Sequence, residues 1–334
     1  MSINILAIES SCDETSASVI SNGKVLDNII VTQKIHEQYG GVVPELASRA
    51  HQQQIVPVVH NALDKAKISL KDLNAIAFTQ GPGLLGALLV GSSFAKSLAL
   101  GLDIPLIAVN HMQAHILAHF IEDPAPSFPF LCLTVSGGHT QIVRITDHLT
   151  MTVLGQTKDD AVGEAFDKCA KLMGLKYPGG PLIDLYAKSG NSDKFNFSKS
   201  SMPALDYSFS GIKTSFLYFI QNQSQKNENF VEQNINDLSA SIQKHLIDML
   251  LEKLILASNQ EGIKEIAIAG GVSANSGLRL ALSETAKREN WNIYIPKFEY
   301  CTDNAAMIAI TAHYKYLHKN FAKLNTTAQP RMTI

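Results

Sequence analysis

Apolar and polar positions along this chain lay out one arrangement twice. Residues 75–111 (AIAFTQGPGLLGALLVGSSFAKSLALGLDIPLIAVNH) and 266–304 (IAIAGGVSANSGLRLALSETAKRENWNIYIPKFEYCTDN) each predict an apolar strand, a glycine-rich turn, an amphipathic helix, a second apolar strand and a polar cluster. Alternation around a polar tip makes ILAIESSCDETSASVIS a β-hairpin with Asp13 and Glu14 at its turn. A second hairpin, FLCLTVSGGHTQIVRI at 130–145, turns at Ser136-Gly137-Gly138-His139. Helical spacing places Ala161, Ala165, Phe166, Cys169 and Leu172 on one face, and Ile235, Leu238, Ile242, Leu246, Met249 and Leu250 on another. The polar segments 188–206 and 221–233 read as a surface excursion and as a loop or helix end.

Each half thus opens with a hairpin and later carries a strand–turn–helix–strand unit, so the fold class expected is α/β with duplicated lobes. The prolines of EDPAPSFPF forbid helix and disfavour a central strand. They divide the chain into an N-terminal lobe (1–122), a linker (123–130) and a C-terminal lobe (131–309), with a helix at 310–334 packed back on the first lobe.

The two copies end in different chemistry. The first runs into His111 and, one helical turn on, His115, with Asn110 as the helix cap; the second runs into Asp303. In parallel α/β sheets ligands collect at the carboxyl ends of strands, so two like lobes would present these three residues to one shared crevice as a metal site. Two imidazoles and a carboxylate suit iron(II) or zinc. His119, another turn along, reads as structural. Met112 follows His111, so the HExxH of a zinc peptidase is missing.

The glycine turns at 136–138, after Thr79 and after Ala269, with Tyr177-Pro178-Gly179-Gly180, suit close approach of backbone N–H groups to a phosphate, although each alone equally suits tight strand–helix packing. Asp167 and Asp184 flank the Gly179-Gly180 turn as acceptors for a ribose or amide, or as local caps. Asn275 suits a base edge or a helix cap. Asp13 and Glu14, at a hairpin tip facing a metal, are candidate bases.

Composition narrows the class. With 334 residues, 46% hydrophobic and 17% charged, the chain holds two cores and is not disordered. A net charge of −2 gives no electrostatic footprint of a stand-alone nucleic-acid binder. The richest basic stretch sets Lys315, Lys319 and Lys323 four residues apart on one expected helix face, read as a solvated surface in preference to a phosphate-contacting strip. Four scattered cysteines form no CxxC, which fits a reducing cytoplasm. The longest run free of charged and strongly polar side chains, 81–91, is about half a bilayer span, so no membrane is expected.

The motifs ESSCDET (9–15), GGVVPELASRAH (40–51), GPGLLGALLVG (81–91), NHMQAHILAH (110–119), VSGGHT (135–140), GEAFDK (163–168), YPGGP (177–181), SFSGIKT (208–214), AGGVSAN (269–275) and CTDNAAM (301–307) resemble the tRNA N6-adenosine threonylcarbamoyltransferase family over nearly the whole chain. The resemblance implies the two-lobed fold of actin, sugar kinases and Hsp70. It implies transfer of a threonylcarbamoyl group from L-threonylcarbamoyl-AMP to N6 of adenosine 37 in tRNAs reading codons that begin with adenine. By the same resemblance His111, His115 and Asp303 carry one divalent ion, usually iron(II). Thr134, Val135, Ser136, Gly137, Gly138, Asp167, Gly180 and Asn275 would hold the substrate, with Asp184 added from its place beside the glycine turn. The implied partners are tRNA, a catalytically inactive paralogue (TsaB) and a small ATPase (TsaE), with a homodimer left open. Two departures stand out: Thr134 sits where the archaeal pattern has a tyrosine ligand, and Arg331-Met332-Thr333 sits where bacterial members end in Arg-Trp-Pro. The rival readings are a small-molecule kinase of the same fold and a non-catalytic nucleotide-binding scaffold.

Overall fold

A computed structural model describes residues 2–198 and 202–334; Lys199, Ser200 and Ser201, inside the expected surface excursion, lie outside the described residues. The chain forms two compact units. The first comprises Met1–Pro126, Thr146–Met151 and Pro296–Ile334; the second comprises Ser127–Ile145 and Thr152–Ile295.

In the first unit β1 (Asn4–Glu9) pairs antiparallel with β2 (Glu14–Ser21), as the alternation predicted. The edge strands β3 (Lys24–Val25) and β4 (Ile29–Thr32) both pair with β2. After α1 (Pro44–Ala66), β5 (Ala75–Gly81) joins β1 in parallel; α2 (Leu85–Leu102) then crosses over to β6 (Leu106–Asn110), parallel to β5. Successive strand residues point to opposite faces, and here both faces are covered. Ile5, Ala7, Ala75, Ala77, Ile107 and Val109 pack with the helix at Ala305–Leu317, whereas Leu6, Ile8, Ile76, Phe78, Leu106 and Ala108 belong to the core under α1 and α2. This two-sided burial explains why the strands read as apolar runs.

Short helix α3 (His111–Leu117) follows β6 directly. Ala87, Gly91, Ala95 and Ala99 form the buried stripe of α2, while Leu85, Leu89 and Leu100 stand exposed on the opposite stripe. The 18 residues of α2 and their mean hydropathy of 1.5 match a membrane span in length and composition, a likeness that counting unbroken runs missed because Ser92, Ser93 and Lys96 interrupt it.

The second unit repeats the topology. β7 (Phe130–Val135) pairs antiparallel with β8 (Thr140–Asp147), β9 (Thr150–Gln156) extends that edge, and β10 (Glu265–Ala269) and β11 (Asn292–Tyr294) continue the sheet in parallel on the other side. The order β11-β10-β7-β8 mirrors β6-β5-β1-β2 strand for strand. Helices α4 (Val162–Leu172), α5 (Gly179–Ala187), α6 (Ser210–Ser224), the single turn α7 (Phe230–Gln233), α8 (Ile235–Glu261) and α9 (Ser276–Glu289) complete it.

Three expectations need correction. The expected C-terminal lobe, 131–309, gives up everything from Pro296 onward to the first unit, and the division after the first half falls at Pro126/Ser127 rather than across a 123–130 linker. The last helix spans Ala305–Leu317, not 310–334, because His318 and Lys319 leave helical geometry, Lys319 with φ 54°. The lysine strip therefore does not form: Lys315 donates to the Ala108 carbonyl at 2.6 Å, and Lys319 and Lys323 lie beyond the helix end.

Candidate metal centre

The first unit brings His111, His115 and Asp303 together by itself. Their ligand atoms lie within 4.8 Å of one another, so the expectation that two lobes face each other across this site gives way to a centre built inside one unit. The Asn110 side-chain oxygen accepts from the Met112 and Gln113 N–H groups, capping α3 and starting it at His111. The i,i+4 spacing then sets the two imidazoles edge to face, ring centroids 4.6 Å apart. Asp303 lies in the turn before the last helix, whose cap, Asn304, accepts from the Met307 N–H. The Asp303 Oδ1 oxygen lies 3.3 Å from His111 Nε2 and 3.1 Å from His115 Nε2.

Ligands about 2.0–2.1 Å from an ion stand roughly 2.8–3.4 Å apart as octahedral or tetrahedral neighbours, so the two imidazole–carboxylate separations fit one divalent cation, while the full set, within 4.8 Å, has to draw in slightly around it. Among the described residues, His115 Nδ1 is buried without a hydrogen-bond partner. His119, buried in the turn after α3, is not one of the cluster.

The chemistry of the donor set also points to a cation. Burial opposes charging of His111, yet the carboxylates of Asp303 and Glu9 outweigh it and raise its pKa well above the ordinary imidazole value. Burial would raise Asp303, but the two imidazoles hold it far below the usual carboxylate range. Burial and the neighbouring His111 lower His115. A proton on His111 thus does a cation's work when no ion is present, and an ion held there would displace it.

Two residues of the ESSCDET loop join the centre. Ser11 Oγ lies 3.3 Å from His111 Nδ1 and 3.5 Å from Asp303 Oδ2. Glu9, fully buried at the end of β1, places Oε2 3.1 Å from His111 Nδ1. His51 on α1 anchors the loop, its ring nitrogens 2.8 Å from Thr15 Oγ1 and 3.0 Å from the Cys12 carbonyl. Asp13 and Glu14 sit in the same loop and strand start; burial, then the carboxylates of Asp303 and Asp13, push the Glu14 carboxyl up to about 10. The sequence reading gave Glu9, Ser11 and His51 no role. The signal for Glu9 was a charged residue closing an otherwise apolar strand, since a buried charge needs a partner.

The remaining candidates lie in the second unit. Thr134 and Val135 are buried on β7, and the Ser136 hydroxyl accepts from the His139 N–H, closing the turn that leaves Gly137 and Gly138 exposed. Asp167 Oδ1 accepts from the N–H groups of Gly179 (2.8 Å) and Gly180 (3.2 Å), while burial raises its pKa. Asp184 accepts from Ser276 and Gly277 at the start of α9. Asn275 caps α9 through the Leu278 N–H and donates to Gln243. The side chains of Asp167, Asp184 and Asn275 thus serve as helix caps.

The family model described as tRNA N6-adenosine threonylcarbamoyltransferase (TsaD) matches residues 24–310. The protein of that name from Christiangramia forsetii is 62% identical over 98% of both chains, and one from Clostridium botulinum is 49% identical over 100% of this chain and 98% of its own. Among solved structures, component A of the Acidaminococcus fermentans (R)-2-hydroxyglutaryl-CoA dehydratase aligns with a TM-score of 0.55 at 17% identity, over 94% of this chain and 99% of its own. Full-length HypF in its phosphate- and nucleotide-bound form aligns with a TM-score of 0.62 at 14% identity, over 93% of this chain and 46% of its own. These structural likenesses concern fold alone, and they bear out the fold class expected from the sequence. On the matched family model and its full-length relatives, the chain belongs to the tRNA N6-adenosine threonylcarbamoyltransferase family.

Proposed function

We propose that this transferase moves a threonylcarbamoyl group from L-threonylcarbamoyl-AMP to N6 of adenosine 37 in tRNAs reading codons that begin with adenine, releasing AMP. The observation that carries the reading is the convergence of His111 Nε2, His115 Nε2 and Asp303 Oδ1 in a chain of this family. Imidazole ligands disfavour the kinase alternative, whose magnesium is held by phosphates and carboxylates.

The donor is a mixed anhydride, so its carbamoyl carbon is electrophilic and AMP is a good leaving group. The exocyclic amine of adenosine is a weak nucleophile, and its attack needs alignment, charge neutralisation and removal of one proton. His111, His115 and Asp303 would hold one divalent ion, iron(II) or zinc, which when bound supplies Lewis acidity towards a ligand oxygen. Asp13 and Glu14, beside that centre, are the candidate proton carriers. In the ion-free centre burial and the carboxylates of Asp303 and Asp13 keep the Glu14 carboxyl protonated, which tells against Glu14 as the group that takes the amine proton and leaves Asp13 as the candidate base. Thr134, Val135, Ser136, Gly137, Gly138, Asp167, Gly180, Asp184 and Asn275 are proposed to hold the donor, the exposed backbone of Gly137 and Gly138 leaving room for an anion.

A near-neutral chain is a weak tRNA binder alone, so tRNA capture is assigned to a complex with an inactive paralogue and a small ATPase, in the cytoplasm. The exposed Leu85, Leu89 and Leu100 stripe on α2 supports a partner-covered face of that kind. The decisive assay supplies labelled threonine, bicarbonate, ATP, tRNA, the upstream activating enzyme and the partner proteins. Wild type should label tRNA and hold one equivalent of metal; His111→Ala should do neither. No labelling by wild type would overturn the transfer reaction, and wild-type labelling by the variant would overturn the part given to the metal centre.

A further inference from the structure

Glu9 is a charged side chain with no exposure at all, and its oxygens are surrounded by donors. Oε1 accepts from the Ser11 N–H, and Oε2 accepts from the Thr79 hydroxyl at 2.6 Å and faces His111 Nδ1 at 3.1 Å. The carboxylate is acceptor-only, so the contact with the imidazole is satisfied only when Nδ1 carries the proton. A neutral His111 in that tautomer turns its Nε2 lone pair towards Asp303 Oδ1, 3.3 Å away. Two acceptors facing each other at that distance repel unless a cation lies between them. His115 has no comparable support, because its buried Nδ1 lacks a partner among the described residues.

We propose that Glu9, steadied by the Thr79 hydroxyl, is the positioning residue of the metal centre, fixing the His111 ring and its Nδ1–H tautomer so that Nε2 is pre-set as a ligand atom. The proposal rests on the metal centre described above. Partners of this kind behind a ligating histidine typically change metal affinity 10- to 100-fold when removed. Glu9→Gln puts an amide N–H₂ against either the Ser11 N–H or the Thr79–His111 pair. In the second arrangement the imidazole answers by moving its proton to Nε2, which blocks the ligand atom; in the first, two donors collide and the side chain leaves its place. Thr79→Val keeps the shape of Thr79 and removes one of the three donors, a milder change.

The test uses the full chain stripped of metal and titrated with cobalt(II) alone, reading the visible d–d absorption of the bound ion and its dissociation constant by chelator competition. Thermal melting is recorded for every variant. Cobalt binding by wild type with no dependence on His111 would defeat the centre itself, and so is distinguishable from failure of the present inference. Given wild-type binding through His111, Glu9→Gln should weaken cobalt about 10- to 100-fold and alter its spectrum, and Thr79→Val should weaken it severalfold, with Thr79→Ser restoring wild-type behaviour. A folded Glu9→Gln protein with unchanged affinity and spectrum overturns the proposal. Should Glu9→Gln not fold, Thr79→Val decides: unchanged cobalt affinity in that folded variant overturns it as well. A purely structural role for Glu9 would lower the melting temperature and leave the cobalt spectrum alone.

Discussion

A carboxylate placed half out of water costs stability unless something pairs it, and Asp27 is such a residue. Its Oδ1 accepts from the Val19 N–H at 2.7 Å, while its buried Oδ2 has no partner among the described residues. Burial pushes its pKa up to about 6 against that hydrogen bond and the charge of Lys65. A folded-state value above the unfolded one means the native protein binds the proton more tightly, so wild-type stability falls as pH rises from about 4 to about 6. Asp27→Asn removes this dependence and can keep the Val19 bond. It should match wild type near pH 4 and exceed it by ~1 kcal/mol at pH 8, a figure discounted because the group is only half-buried. Chemical denaturation at the two pH values checks this; an equal offset at both would show that the carboxyl is not the cause. At this scale, the metal ligands were legible because helical spacing and an asparagine cap are local signals. Glu9 and Thr79 were not, since their contact spans 70 residues and exists only through the parallel register of β1 with β5.

Elements meet closely where α4 begins. The Gly163 N–H donates to the Ser136 carbonyl at 3.2 Å, and a Cβ at Gly163 would come within 2.6 Å of that oxygen and 2.8 Å of Gly137 Cα. Backbone on both sides leaves nothing flexible to yield, so Gly163→Ala must shift the β7–β8 turn away from the helix. Overpacking of this kind typically costs about 1–3 kcal/mol. Calorimetry should show a lowered melting temperature, and transfer should fall through a raised KM for the threonylcarbamoyl donor if the turn holds it. A variant as stable and active as wild type would remove that role from the turn. The duplicated strand–helix–strand units and both hairpins were readable because period-2 alternation and glycine turns are local. The helix α6 was not: its Ser-Phe-Ser-Gly start is a poor helix signal, and Asp159 supplies the cap from 50 residues away, accepting from Phe209, Ser210 and Ser208.

For the whole molecule, the main misreading concerned which unit owns Asp303. Hydrophobic patterning marks where a strand ends but not where the following turn is packed, and the chain leaves the second unit at Pro296, before the aspartate. Both imidazoles and the carboxylate therefore belong to one unit, and the ion should remain bound whether or not a nucleotide donor is present; equal metal content by mass spectrometry under native conditions, with and without the donor, checks this. The exposed leucines of α2 set a separate expectation. Leu85→Glu with Leu89→Glu should abolish co-elution with the proposed paralogue on size-exclusion chromatography while leaving metal content unchanged, and retained co-elution would remove α2 as the proposed docking face.

The C-terminal residues fold back along the first unit. Ala322 pairs with Leu106, the Gln329 N–H donates to the Gln80 carbonyl, the Gly83 N–H donates to the Pro330 carbonyl, and Asn110 Nδ2 donates to the Thr333 carbonyl at 2.9 Å. Thr333 is thereby moored to the residue just upstream of His111. A polyhistidine handle spliced after Ile334 would start one residue beyond that contact with the α3 cap, where its nitrogens would compete for the ion; cloning it ahead of Met1 avoids that artefact.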